Sequence, residues 1–200
     1  MGRSVTDRLD EGQAQPPIRG LSTLGWAWTS YEQTDTVMRL FRKDLSTTRQ
    51  VAVVEWLIDG EPFTERMRFP NGTPCNDMTL MHDAPHFPPA AVASLRALLS
   101  MAGPEQEPVD FSDGRVGLLF CHQCGDLYCG AVSASVVVSD STVEWRDIAY
   151  QDGNTEEIGD AEVAAFTLTF ERAPYESTIT ALIEDWTARS EDQRASTSTP

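Results

Sequence analysis

Hydrophobic and polar residues along this chain alternate in short runs that are separated by turn signals, which is typical of antiparallel strands. The clearest run covers residues 50–58 and places four apolar side chains on one face: Ala52, Val54, Trp56 and Ile58. Asp59-Gly60 follows as a hairpin turn signal, and in residues 63–69 the apolar Phe63, Met67 and Phe69 then alternate with polar residues, with Glu65 as the one exception on the apolar face. The pattern predicts a hairpin between these two runs, with one face buried.

Other strand-like runs occupy much of the remaining chain. They cover residues 26–28, 37–41, 116–120, 131–138, 142–150 and 163–170. The polar residues 34–36 are expected to separate the first two, and the runs after the Asp113-Gly114 turn predict a three-stranded meander.

Two segments show the helical period instead. The first opens at Pro88-Pro89 and ends before Gly103-Pro104, with an apolar stripe of Val92, Leu95, Leu98, Leu99 and Ala102. The second begins at Ala173-Pro174 and carries Tyr175, Ile179, Leu182, Ile183 and Trp186 at the same spacing. The predicted fold is therefore α+β, an antiparallel sheet of five to seven strands, built from hairpins and a meander, with two helices packed on it. Residues 1–20 are expected to form a flexible arm, residues 21–189 a single domain and residues 190–200 a disordered tail.

The net charge of the chain limits the classes of partner that it is expected to bind. Its 200 residues include 15 Lys and Arg against 31 Asp and Glu, a formal net charge of −16. This surplus argues against nucleic acid and anionic membranes as partners, because both attract cationic surfaces. It favours a protein partner with a basic surface, although a dispersed acidic surplus is also typical of a well-solvated surface. The oligomeric state stays open.

The apolar runs are too short for a membrane span, and the N-terminal residues lack the apolar segment of a signal peptide. We therefore expect a cytoplasmic protein. In that reducing compartment, closely spaced cysteines serve more often as thiols, metal ligands or redox pairs than as structural disulfides.

Candidate chemistry concentrates in residues 118–131, which hold three of the four cysteines. Cys121-x2-Cys124-Gly125 has the spacing of a zinc knuckle, in which the glycine takes a positive φ and lets backbone N–H groups turn toward the sulfurs. Cys129 is expected on the following strand, and Cys75 would complete a four-cysteine site for Zn²⁺. The predicted metal ligands are thus Cys75, Cys121, Cys124 and Cys129.

Two alternatives use the same cysteines. In the first, Cys121 and Cys124 form a redox pair that Cys129 resolves, but strand-like sequence follows where thioredoxin-like proteins place an activating helix. In the second, the thiols are small core and turn residues. Other chemistry-bearing residues are weaker candidates: the loop histidines His82 and His86, His122 beside Cys121, and the carboxylates Asp126 and Asp147.

Three segments of the chain resemble a group of small, functionally uncharacterised bacterial proteins that are common in actinomycetes. The segments are 117–131 (GLLFCHQCGDLYCGA), 143–147 (VEWRD) and 170–175 (FERAPY), against a pattern CGDxGCG…VxWxD…FxFxRxxY. The resemblance covers roughly the C-terminal half, and Tyr128 stands where the group usually has glycine. It implies no established activity.

Taken together, the sequence predicts a non-enzymatic cytoplasmic binding or accessory domain, of an immunity or regulatory type, with a cysteine-rich hairpin that holds a structural zinc ion. The rival hypothesis is a thiol-dependent oxidoreductase that uses the Cys121/Cys124 pair.

Overall fold

The computed structural model of the protein describes residues 20–37, 45–67, 73, 75, 78–82, 90–100, 111–122, 125, 127–158 and 166–197. The strands are β1 (Leu24–Val37), β2 (Leu45–Ile58), β3 (Glu61–Pro62), β4 (Met78–Thr79), β5 (Met81–His82), β6 (Val116–Cys121), β7 (Ala131–Val138), β8 (Thr142–Gln151) and β9 (Phe166–Glu171). The helices are α1 (Phe63–Arg66), α2 (Ala90–Leu98) and α3 (Arg172–Thr197), and a short 3₁₀ turn covers Leu127–Cys129. The α+β fold class is confirmed.

The strands divide between two antiparallel sheets. One has the order β1-β2-β3, with β5 also paired to β2, and the other has the order β4-β6-β7-β8-β9. The predicted meander is confirmed as β6-β7-β8, and β9 extends it. A parallel bridge between Ser22 and Phe170 links the chain just before β1 to the last strand of the second sheet.

The longest element is the β1–β2 hairpin, in which both strands have 14 residues. Its register runs from Leu24 opposite Ile58 to Val37 opposite Leu45. The interruption predicted at residues 34–36 is therefore wrong, because threonine is β-branched and suits a strand. The hydroxyls of Thr34 and Thr48 even form a cross-strand hydrogen bond of 3.1 Å. The strand predicted at 37–41 lies, beyond Val37, outside the described residues.

The strand predicted at residues 63–69 is also wrong for residues 63–66, which form a helix, while residues 68 and 69 lie outside the described part of the chain. After a turn in which Asp59 and Gly60 both have positive φ (56° and 85°), β3 lasts two residues and helix α1 begins at Phe63. Pro62 has no N–H for a ladder, and the Glu55 carboxylate accepts hydrogen bonds from the backbone N–H and hydroxyl of Thr64 (3.1 and 2.8 Å). The helical turn still buries the apolar residues Phe63 and Met67.

Trp145 of β8 lies at the centre of the core and has no exposed surface. Its ring packs edge-on against Trp56 (5.9 Å between centroids) and Phe170 (5.0 Å). Its indole N–H donates to the Tyr175 hydroxyl (2.9 Å), which donates in turn to the Leu98 carbonyl oxygen (3.2 Å). One hydrogen-bonded chain thus joins β8, α3 and α2. Burial raises the pKa of the Tyr175 hydroxyl; the bond from Trp145 opposes that shift and the Glu176 charge adds to it.

Helix α3 packs along β1. The indole N–H of Trp28 donates to Asp185 at 2.7 Å, and its ring stacks on Trp186 with centroids 6.0 Å apart. Arg189 lies 4.2 Å above the Trp28 ring. The helix extends to Thr197, so it includes most of the segment 190–200 for which composition predicts a disordered tail; apart from Pro200 that segment has no helix breaker.

Candidate functional site: the cysteine turn

The candidate site is the connection between β6 and β7, here called the cysteine turn and defined as residues 121–130. Strand β6 ends at Cys121, whose carbonyl oxygen accepts a hydrogen bond from the Gly125 N–H at 2.9 Å. The Gly130 N–H then closes the 3₁₀ turn on the Leu127 carbonyl oxygen at 2.7 Å. The N–H of each glycine therefore closes a short turn between β6 and β7.

Both glycines adopt a left-handed backbone. Gly125 has φ +63° and Gly130 has φ +80°. The positive φ predicted for Gly125 is confirmed, and Gly130 adds a second cysteine–glycine step of the same kind after Cys129. L-residues with a side chain rarely adopt this conformation, so glycine is the residue that fits both positions.

Cys75 reaches this region through strand β4. Its N–H donates to the Met67 carbonyl oxygen (3.3 Å), and its own carbonyl oxygen accepts from the Met78 N–H (3.2 Å). Met78 pairs directly with Cys121 in the β4–β6 ladder. One tight turn thus joins Cys75 to Met78, the residue paired with Cys121. The fold therefore brings the two cysteine segments together, although 45 residues lie between Cys75 and Cys121 in sequence.

The three described cysteines differ in exposure. Cys75 is fully buried, Cys121 is half-buried and Cys129 is exposed. Cys129 lies in the 3₁₀ turn and not on the following strand as predicted, because β7 begins two residues later at Ala131.

Within the part of the chain that the structure describes, no three His, Cys, Asp or Glu side chains lie together in an arrangement that would hold a metal ion. Cys124 is outside that part, so the four-cysteine zinc site stays a prediction.

The histidines and carboxylates named as candidates find other surroundings. The His122 ring lies 4.7 Å from the ring of Tyr31 on β1, and the Tyr31 hydroxyl donates to the His122 carbonyl oxygen (3.3 Å). His82 takes part in β5 by its backbone. Asp147 is exposed at a bulge of β8 with φ +53°. His86 and Asp126 lie outside the described residues.

The end of β8 and the loop that follows it both contact the cysteine turn. The Tyr150 hydroxyl donates to the Cys129 carbonyl oxygen (2.9 Å), and the Asn154 amide donates to the Tyr128 carbonyl oxygen (3.4 Å). Gly153 packs so closely that a Cβ there would overlap the Leu127 carbonyl oxygen. Tyr128 is held by its backbone while its side chain is 73% exposed.

A buried polar network lies beneath this end of the sheet and was missed by the sequence prediction. Arg115, only 4% exposed, donates to the Ser133 hydroxyl (3.0 Å), the Ser133 carbonyl oxygen (2.9 Å) and the Asp147 carbonyl oxygen (2.5 Å). Ser133 donates to Gln151, whose amide donates to Asp113 at 3.1 Å. Burial lowers the pKa of Arg115, while the charges of Asp113 and Asp147 raise it. The network ties the turn before β6 to β7 and β8, whose register shifts next to Ser133.

The sequence carried one signal for this network, a lone arginine between the Asp113-Gly114 turn and an apolar strand. Arginine is rarely buried at the start of an apolar strand unless its N–H groups are hydrogen-bonded.

Comparison with protein-family models, with curated proteins and with solved structures finds no match. No helix in the described part of the chain has the length and apolar character needed to cross a membrane. Within the described residues, Cys121 is followed by the three-residue 3₁₀ turn Leu127–Cys129, which leads into β7.

Proposed function

We propose that this chain is a non-enzymatic binding or accessory domain of the cytoplasm, and that its cysteine turn holds a structural zinc ion. The observation that carries the proposal is the pair of cysteine–glycine steps with left-handed glycines at 125 and 130. In metal knuckles this conformation turns backbone N–H groups toward thiolate sulfurs and stabilises their charge.

The position of Cys75 supports the same proposal. It is joined through Met78 to the strand that carries Cys121, so a fourth thiol can approach from the side of the core. Metal binding commonly brings ligands together as it completes folding, so zinc would draw the four sulfurs into one tetrahedral group. Zinc here would supply structure, since a site closed by four thiolates leaves no position for a substrate.

The absence of a described helix after Cys121 argues against the rival function, a thiol oxidoreductase. An activated dithiol relies on a helix N-terminus or a nearby cation to stabilise its thiolate. Around the described part of the turn, the Tyr31 ring contacts the His122 ring and the Tyr150 hydroxyl donates to the Cys129 carbonyl oxygen.

The test is metal analysis of full-length protein purified with reductant and without chelator. We expect about one zinc per chain and thiols that react only after unfolding or chelation. Cys75→Ser, Cys121→Ser, Cys124→Ser and Cys129→Ser are each expected to lower zinc content, whereas His122→Ala, beside the site, should retain it.

Two results would contradict the zinc proposal. Zinc-free protein with the same thermal stability before and after zinc is added would mean that the thiols are ordinary core and turn residues. A reversible Cys121–Cys124 disulfide formed under mild oxidation in zinc-free protein would favour the oxidoreductase.

A further inference from the structure

Two large apolar side chains are exposed on neighbouring segments, one in the cysteine turn and one in the loop after β8. Tyr128 is 73% exposed and Ile158 is 44% exposed. Their segments meet, because Gly153 packs on the backbone of Leu127 and Tyr128 and because Ile158 forms a bridge with Gln151. We call the surface formed by residues 112–114, 127–129 and 152–158 the turn face.

Hydrogen bonds fix the loops of the turn face to each other. The backbone N–H of Ser112 donates to the Glu156 carboxylate (3.1 Å), and the Ser112 hydroxyl donates to the same oxygen. The Asp152 carboxylate accepts from the N–H groups of Asn154 and Thr155, both at 2.8 Å. A surface that is already ordered loses little conformational entropy when a partner docks.

The charge of the turn face has one sign. Its ionisable side chains, apart from the tyrosine and cysteine, are four carboxylates: Asp113, Asp152, Glu156 and Glu157. The nearest arginine in sequence, Arg115, is buried in the network below. Hydrogen bonds from Thr155 and Asn154 lower the pKa of Asp152, which favours its charged form.

We infer that the turn face docks a basic segment of a partner protein, in which lysine or arginine residues flank an apolar side chain. The apolar side chain would pack on Tyr128 and Ile158, and the flanking cations would meet the carboxylates around them. An arginine stacked on the Tyr128 ring adds a cation–π contact. The inference rests on the binding role proposed above and names the surface that performs it.

Charge also decides between occupants. A second copy of the chain would bring its own charge of −16 toward an acidic face, and like charges oppose that contact. Nucleic acid and anionic membranes are repelled for the same reason. A cationic protein segment is the occupant that the charge favours.

The probe for the test is a synthetic peptide in which arginine and lysine flank a central leucine, titrated into the ¹⁵N-labelled full-length protein. We expect shifted amide signals in residues 112–114, 127–129 and 152–158, and no shifts with the same peptide carrying glutamate for its cations. Tyr128→Ala is expected to weaken binding about tenfold, since an aromatic anchor at an interface contributes more than 1 kcal/mol.

Leu21→Ser is the matched control. Leu21 is also an exposed apolar residue (59%), but it lies far from the turn face. Its neighbour Ser22 is bridged to Phe170, which pairs with Val143 near the start of β8, whereas the turn face adjoins Gln151 at the end of β8. This variant should bind the peptide as the unmodified chain does. Ile158→Ser should behave like Tyr128→Ala.

Two other outcomes would contradict the proposal that the turn face is the docking surface. If the peptide binds but shifts amides elsewhere, the binding role is kept and this surface is rejected. If the basic peptides do not bind at all, both the binding role and this surface are rejected. Concentration-dependent shifts of the same amides without peptide would assign the face to a second copy. Zinc content, measured on the same sample, reports on the zinc proposal independently.

Discussion

Position 130 needs glycine for two reasons: its backbone is left-handed, and there is no room there for a Cβ atom. Its φ is +80°, and a Cβ there would overlap the Tyr150 hydroxyl and lie 2.8 Å from the Gln151 carbonyl oxygen. Gly114 has the same φ of +80°, but a Cβ there would meet nothing within 4 Å. The two positions therefore separate backbone strain from steric overlap.

We predict that Gly114→Ala lowers the free energy of unfolding by about 1 kcal/mol, the cost of placing a side chain in this conformation. Gly130→Ala should cost about 3 kcal/mol or more, because the end of β8 at Tyr150 and Gln151 must also move. Urea denaturation of both variants measures the difference. Equal costs would show that Tyr150 and the turn separate without loss, so that the end of β8 does not support the cysteine turn.

The buried Tyr175 hydroxyl predicts a loss of stability at high pH. Its pKa in the folded chain is raised above the ordinary value of 10.0, mainly by burial. Above about pH 10 the unfolded chain releases this proton while the folded chain keeps it, so stability falls as pH rises. Below that pH the contribution is fully present.

Tyr175→Phe removes that proton along with the hydrogen bonds to Trp145 and Leu98. The variant should be less stable by about 1–2 kcal/mol at neutral pH, and the gap should narrow as pH rises past about 10. Urea unfolding under reductant across this range provides the measurement, with Tyr128→Phe, which loses an exposed hydroxyl, as control. A gap that stays constant would place the Tyr175 hydroxyl in contact with solvent.

At the scale of elements, the β1–β2 hairpin has two unlike halves. Near Leu24 and Ile58 it packs into the core, where Val54, Trp56 and Ile58 are fully buried. Toward the far end, residues 46–50 are exposed on both faces of the ribbon. An isolated two-stranded ribbon is only marginally stable in water.

We predict that backbone amides of residues 46–50 exchange with solvent about a hundredfold faster than those of residues 52–58 in the same strand. The reason is that the far half opens without disturbing the core, whereas the near half opens only with it. Hydrogen exchange followed by NMR measures both in one experiment. Equal protection along the strand would mean that the far half is covered in solution.

Elements were predictable wherever local pattern and tertiary packing agree. The strands at 131–138 and 142–150 were found almost residue for residue, because their turns carry strong signals and their branched residues suit a sheet. Residues 63–69 misled because Phe63 and Met67 fit either period over so short a run. The hydrogen bonds that the Glu55 carboxylate accepts from Thr64 favour the helix, and Glu55 lies outside the local pattern.

At the scale of the whole molecule, strand pairing was the part that sequence left open. The sequence predicts that β2 pairs with the run that follows it, but its main partner is β1, which precedes it. The strands also form two sheets that share a core. The left-handed Gly125 was predictable because the spacing of Cys121, Cys124 and Gly125 is local, whereas Gly130 was not predicted and Cys129 was wrongly expected on the next strand. The Arg115 network was not, since its acceptors are backbone carbonyls placed by bulges in other strands.

The bridge between Ser22 and Phe170, and the bond from Trp28 to Asp185, join the earliest described strand to the latest elements of the chain. During synthesis on a ribosome, the hairpin emerges long before the helix that covers it. Until that helix forms, the apolar surfaces of the hairpin's tryptophans stay exposed to solvent. Nascent chains in such a state bind chaperones or aggregate. Completion of this fold therefore waits until α3 has been synthesised, and a chain that stalls before α3 would leave this side of β1 uncovered.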